Sequence, residues 1–234
     1  MKITVIEPQF ELLTPRAWIY EYPRLIERAG RTCYKSEERI TADSAAKFVR
    51  MIVNAGHESV LEHLSITALI IGDRTMSHQL VRHRIAAYSQ ESQRYCDYDK
   101  LGLQVVCPPS IGAPVGVYEW IGGGLRAWHY NDALLRAASL EVHAWLHSVR
   151  IAYETYRELR EGNVPPEDAR AVLPGCTKTE VVSTFNLRQW RHVLRERALN
   201  PKAQWQIRQI MQGILMRFRE LLPDVFFDLV EEAS

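Results

Sequence analysis

Apolar residues recur along this chain with two different periods, and the period sorts the sequence into strands and helices. Lys2-Ile3-Thr4-Val5-Ile6 reads as a strand, with polar and apolar side chains alternating from Lys2 to Val5 in the two-residue repeat of a strand with one covered face. Leu64 to Ile71 is a denser apolar run of strand length, and Thr179 to Phe185, with Val181 and Val182, reads the same way. Elsewhere the repeat is helical. Between Thr41 and Asn54 the residues Ala45, Phe48, Val49, Ile52 and Val53 share one face, with Thr41 as cap and Gly56 as stop. From about Thr75, Met76 and Leu80 mark a further helical stretch. Leu134, Leu135, Ala138, Val142, Trp145, Leu146, Val149, Tyr153 and Tyr156 predict one long helix from Leu125 to Arg160, its aromatics belonging to the core. Pro165 and Pro166 open a short helix that ends before Pro174, a helix follows from Asn186 to about Ala198, and a last one runs from Pro201 to Leu222. The Pro- and Gly-rich stretch from Lys100 to Gly124 reads as a loop or insertion.

Strands scattered among long helices indicate an α+β fold. A chain of 234 residues, 47% hydrophobic and 24% charged, suffices for one compact domain spanning residues 1–234. Its formal net charge of +1 concentrates basic residues locally and excludes a general polyanion-binding surface, so no nucleic-acid partner is expected. No apolar run approaches the roughly 20 residues that span a bilayer, and the chain opens as a strand rather than a signal peptide, so a cytoplasmic protein without a membrane partner is expected. Cys33, Cys96, Cys107 and Cys176 lack paired spacing and read as reduced thiols. After His57-Glu58 the place of a second zinc-ligating histidine is taken by Leu61, and Glu62-His63 has no histidine three residues before Glu62, so no metal site is assigned. A Walker loop and a Gly-x-Gly-x-x-Gly fingerprint are both absent, and Gly122-Gly123-Gly124 marks only a turn.

The chemistry gathers between Gln79 and Tyr95. Arg82, His83, Arg84 and Arg94 place three permanent cations and a titratable donor within thirteen residues, at the end of a helix. Tyr88, Ser89, Gln90, Ser92, Gln93 and Tyr95 add hydroxyls, amides and rings that bond to and stack on a heterocycle, which together suit a nucleotide. A second cluster, Arg188, Arg191 and Arg195, shares one helical face opposite Leu187, Trp190 and Leu194; by itself it is an amphipathic surface helix. Arg170 is the sole basic residue of the short helix.

Arg82-His83-Arg84, seven residues, then Ser92-Gln93-Arg94-Tyr95 resembles the signature of the flavin-dependent thymidylate synthases. The likeness continues through Gly56-His57-Glu58-Ser59-Val60-Leu61-Glu62-His63, Ala169-Arg170-Ala171-Val172-Leu173-Pro174, Asn186-Leu187-Arg188 and Ala203-Gln204-Trp205, in the family's order and over roughly residues 50 to 210. Many members have Ser at the place of Ala87 and Asn-Glu at Ser89-Gln90.

The resemblance implies conversion of dUMP to dTMP, with 5,10-methylenetetrahydrofolate giving the carbon, reduced FAD the hydride, and NADPH recharging the flavin. It implies a largely antiparallel central sheet flanked by helices, in a homotetramer with active sites between subunits. Arg197 is implied as the catalytic group aimed at the pyrimidine. Gln79, Leu80, Val81, Arg82, Gln90, Glu91, Ser92, Gln93, Arg94, Arg170 and Arg197 are implied around dUMP, Arg94 and Arg170 near its phosphate. Ser59, Arg82, His83, Arg84, Gln90, Asn186, Leu187, Arg188 and His192 are implied around FAD. Ser92 has no base identified beside it in sequence and reads as a hydrogen-bonding residue rather than a nucleophile, and no cysteine lies in the motif to support a thiol mechanism. His57 and Glu58 stand open between lining the flavin or folate site and structural burial. The competing expectations are an RNA-binding module, using both arginine clusters on phosphates, and a flavin- and folate-dependent methylation of uracil in RNA.

Overall fold

The computed structural model describes residues 1–121, 124–128 and 138–230, and the protein is α+β. In chain order come β1 (Lys2–Ile6), β2 (Gln9–Leu12), α1 (Arg16–Tyr34), α2 (Ser44–Asn54), β3 (Ser65–Asp73), α3 (Arg74–Leu80), β4 (Ala87–Gln90), α4 (Tyr98–Leu101), β5 (Leu103–Val106), β6 (Gly116–Ile121) and β7 (Gly124–Trp128). Then follow α5 (Leu140–Glu161), α6 (Pro166–Ala169), β8 (Lys178–Asn186), α7 (Leu187–Leu194), α8 (Trp205–Leu221) and α9 (Pro223–Phe226). Short 3-10 turns lie at Glu37–Arg39, Glu58–His63 and Arg170–Val172, and a π-helical turn at Arg195–Leu199. Instead of one central sheet there are two four-stranded sheets, ordered β5-β1-β6-β7 and β2-β3-β8-β4. The chain divides into two compact units, one from Met1–Pro8, Ile71–His78 and Gln90–Glu180, the other from Gln9–Ile70, Gln79–Ser89 and Val181–Ser234.

In the first unit β5 runs parallel to β1, with Ile3 beside Leu103 and Val5 beside Val105, and β6 runs antiparallel with Tyr118 opposite Ile3. These side chains make one covered face, because the strand repeat sends alternate residues to the same side. Against it pack Val142, Leu146, Val149, Tyr153 and Tyr156 of α5, spaced by threes and fours as a helical stripe requires. The buried tyrosines keep their hydroxyls bonded: Tyr153 donates to the Tyr98 carbonyl at 2.9 Å and Tyr156 accepts from the Tyr98 amide at 3.2 Å. The stretch expected as a loop from 100 to 124 therefore contains β5 and β6. Its prolines, Pro108, Pro109 and Pro114, fall between those strands, where a missing N–H costs no ladder bond.

In the second unit β3 buries Ile66, Ala68 and Ile70 on one face and β8 buries Val181, Ser183 and Phe185. A chain of aromatic contacts runs Phe185–Trp190–Phe218–Phe226, with ring centroids 4.6, 5.1 and 5.1 Å apart. The Trp190 indole donates to the Ile66 carbonyl at 3.0 Å, which fastens α7 to the strand.

Several expected boundaries move. Leu125 to Trp128 is not helical but pairs with β6, Leu125 opposite Trp120, and the helix begins after Ser139, whose hydroxyl accepts from the Val142 amide. Leu134 and Leu135 lie outside the described residues. Thr41 does not cap α2; the Ser44 hydroxyl instead accepts from the Thr41 amide at 2.9 Å and the helix starts there. Gly56, with φ +71°, does end that region as a left-handed glycine should. Among the described residues no helix is long and apolar enough to cross a membrane, and all four cysteines are free.

Candidate functional site

α3 ends at Leu80, and the chain turns through Arg82-His83-Arg84 before β4. Tyr88 pins this turn: its hydroxyl lies 2.7 Å from the His83 carbonyl and 2.9 Å from that of Leu80. Arg82 and Arg84 are exposed, whereas His83 points inward and is only 8% exposed. Beneath it stands Arg197, whose Nε donates to His83 Nε2 at 3.1 Å and whose Nη1 donates to Gln79 Oε1 at 3.3 Å. Burial first, then the charge of Arg197 and the neighbouring His192, lowers the His83 pKa to about 4. The ring is therefore neutral at pH 7, with Nε2 as acceptor and the proton on Nδ1. The His192 ring meets it edge-on at 5.8 Å.

The sequence pattern extends one helix from Asn186 to Ala198, but α7 stops at Leu194 and a π turn carries residues 195–199. The wider turn shifts the phase of Arg197 relative to the α7 stripe, the kind of local departure that functional helices use to aim a side chain. Asn186 opens α7 by accepting from the Gln189 amide at 2.8 Å. Arg188, His192 and Arg195 then share one wall of an open cavity of about 530 Å³, together with Glu58, Glu62, Ile85, Asn186 and Gln189. Arg191, expected on the same solvated face, is instead fully buried. It bonds to Glu58 at 2.7 Å and to both carboxylate oxygens of Asp228, and those two acids are what allow a guanidinium inside.

Ser59 lines a neighbouring cavity of about 690 Å³, to which Glu58 and Arg188 also contribute. Leu80 and Leu187 are sealed from solvent, so only their backbones remain for a ligand, and the Leu187 amide is already bonded to the Leu64 carbonyl. Val81 is 36% exposed. The residues suit a flavin dinucleotide: the first cavity offers amides and cations for phosphates and ring edges, and the exposed Ile85 offers an apolar contact.

Gln90 to Arg94 and Arg170 belong to the other unit. The Gln90 amide bonds to Ser77 and Thr179 at 3.0 and 3.1 Å, and Glu91 accepts from Tyr98 and Lys178, each at 3.0 Å. The Ser92 hydroxyl accepts from the Arg94 amide, and Gln93 is half-buried beside it. Arg94 reaches the Glu167 carboxylate at 3.0 Å, and Arg170 bonds to the Glu167 carbonyl at 2.9 Å. Two cations thus meet at one residue. No motif singles out Glu167, although its place in the first turn after Pro165-Pro166 is where an acid settles against a helix N-terminus.

Residues 19–224 match the family of the thymidylate synthase complementing protein, Thy1. A flavin-dependent thymidylate synthase of Geobacter sulfurreducens is 35% identical over 207 residues, covering 86% of this chain and 78% of that one. Its namesake from Mycolicibacterium vanbaalenii is 38% identical over 208 residues, 87% and 78% of the two chains, and that of Nitratidesulfovibrio vulgaris is 33% identical over 237 residues, 94% and 86%. Among solved structures, a UMP/dUMP methylase, PolB, from Streptomyces cacaoi, bound with 5-Br dUMP, shares the fold with a TM-score of 0.73 over 97% of this chain and 96% of that one, at 20% identity. With a family match across most of its length and relatives above 30% identity, the chain belongs to the thymidylate synthase complementing protein family, that of the flavin-dependent thymidylate synthases.

Proposed function

We propose that this chain converts dUMP to dTMP, taking the carbon from 5,10-methylenetetrahydrofolate and relying on FAD that NADPH keeps reduced. One observation carries the mechanism: Arg197 is held by two uncharged acceptors, His83 and Gln79. Arg94, Arg188 and Arg191, by contrast, are each engaged by a carboxylate. Neutral partners fix the guanidinium without cancelling its charge, and they use two of its five N–H donors.

Carbon 5 of neutral uracil is a poor nucleophile, and ionisation at N3 makes it a better one. A preorganised cation facing the pyrimidine stabilises that ionised form, an effect of about 3 to 4 kcal/mol for one well-placed donor. Arg197 has the remaining donors for this role. Gln79, Arg82, the backbone of Leu80 and Val81, and Gln90, Glu91, Ser92 and Gln93 would surround dUMP, with Arg94 and Arg170 at its phosphate, where a dianion displaces Glu167. Ser59, Arg82, His83, Arg84, Gln90, Asn186, Arg188, His192 and the Leu187 backbone would hold FAD. When bound, the flavin supplies the hydride chemistry. The active unit is a homotetramer in the cytoplasm, with sites formed between copies, and residues 1–234 act as one synthase domain.

The test is Arg197→Ala, assayed for dTMP formed from dUMP, methylenetetrahydrofolate and NADPH beside a visible spectrum of bound flavin. The expected result is turnover lowered roughly 100- to 1000-fold with FAD still bound. Full activity would remove Arg197 from its role. A colourless parent protein, inert with added FAD and binding RNA with steep salt dependence, would overturn the whole reading.

A further inference from the structure

Arg191 is a buried charge that the proposed chemistry does not use. It occupies the position between Arg188 and Arg195 on α7, yet its side chain is 1% exposed while theirs are 54% and 44%. Its Nε donates to Glu58 Oε1 at 2.7 Å, and Nη1 and Nη2 donate to Asp228 at 2.7 and 2.6 Å. Nη1 also reaches the Val225 carbonyl. Arg195 adds a contact to Glu58 at 3.3 Å and one to Asp228 at 3.6 Å. Only a planar fork with several donors can serve both acids and a carbonyl at once.

The position of Glu58 gives this cluster a consequence beyond stability. Glu58 lines both of the cavities described above, as does Arg188, and the residue after it is Ser59. The first cavity carries two carboxylates, Glu58 and Glu62, in a wall assigned above to a ligand bearing two phosphates. A bare carboxylate there would repel that ligand, strongly so beside low-dielectric protein. Each acid has its own neutraliser: Arg188 bonds to Glu62 at 2.5 Å, and Arg191, backed by Arg195, holds Glu58.

We propose that Arg191 is a positioning residue for the flavin site: by holding Glu58 from behind, and being itself anchored on Asp228, it removes a repulsive carboxylate from the wall that receives the dinucleotide phosphates. Asp228, 37 residues away along the chain, thereby takes part in cofactor affinity without touching the cofactor. This inference rests on the flavin reading above.

The experiment is FAD binding by fluorescence quenching to the full-length protein and to Arg191→Met, Arg191→Lys, and each of these combined with Glu58→Gln, with dUMP binding measured alongside. Loss of the fork should weaken FAD about tenfold or more in Arg191→Met and several-fold in Arg191→Lys, with dUMP affinity unchanged. Adding Glu58→Gln should recover most of the loss, because it deletes the charge left unpaired; a purely structural role would not respond in that way. Arg191→Lys keeps a buried cation and so keeps the test alive if Arg191→Met does not fold. Parent-like FAD affinity in Arg191→Lys, or no recovery in the paired variants, overturns the proposal while leaving the flavin reading intact. A parent protein that binds no FAD overturns both.

Discussion

Burial separates the three side chains of the arginine-histidine-arginine turn. Arg82 and Arg84 stay in solvent while His83 turns inward, because burial of a neutral ring is tolerable where burial of an unpaired cation is not. The consequence is a pH dependence with a definite sign. The folded pKa of His83 lies near 4, below the ordinary value of 6.5. Between those values the unfolded chain binds the proton and the folded one does not, so stability from this group is fully present above pH 6.5 and declines as pH falls towards 4. The size is on the order of 3 kcal/mol, since each tenfold change in proton affinity is worth about 1.36 kcal/mol. Urea midpoints at pH 7.5 and pH 4.5 should show the parent losing more stability than His83→Gln, which keeps an acceptor for Arg197 but does not titrate. An equal loss in both would mean that other groups dominate the acid limb. The turn itself is plain in the sequence, whereas the opposite fates of its members are not. Arg191 is the residue the sequence misplaces: its helical phase puts it with Arg188 and Arg195, and nothing local announces that Glu58 and Asp228, from distant segments, meet it inside.

Among the elements, periodicity finds β3, α2, β8 and α8 well, since each buries a continuous stripe. It fails where tertiary pairing overrides propensity. Leu125 to Trp128 continues the apolar pattern of the coming helix but is captured by β6. The π turn at Arg195–Leu199 is likewise invisible, because Trp190, Leu194 and Ala198 keep helical spacing through it. The junction of β8 and α7 makes a separable prediction. Asn186 both caps α7 and lines the first cavity. Asn186→Ala should cost about 1 kcal/mol of stability through the lost cap. Asn186→Asp keeps the capping oxygen and favours the helix N-terminus, so its thermal midpoint should stay at or above the parent's. Its added carboxylate should nonetheless weaken FAD binding. Parent-like flavin affinity in Asn186→Asp would take Asn186 off the cofactor wall while leaving its capping role in place.

For the molecule as a whole, composition and patterning lead to the α+β class, while the division of strands into two sheets depends on which strand pairs with which, and local sequence does not encode that. Assembly is a further step. α1 leaves Trp18 at 66% exposure and Leu25 at 51%, seven residues apart and so on one stripe. Large apolar side chains gathered on one helix are costly to leave in water, and a second copy of the chain is the partner that the proposed homotetramer would supply. The expected outcome is a tetramer in sedimentation velocity, and a smaller species for the pair Trp18→Glu and Leu25→Glu. Neither residue is packed in the core, so circular dichroism should remain that of the parent. If the active sites form between copies, the dissociated variant should lose flavin affinity and turnover together, and raising its concentration should restore both by mass action. A stable monomer, parent or variant, that holds FAD and forms dTMP at full rate would rule out sites shared between subunits, and each chain would then have to complete its pocket alone.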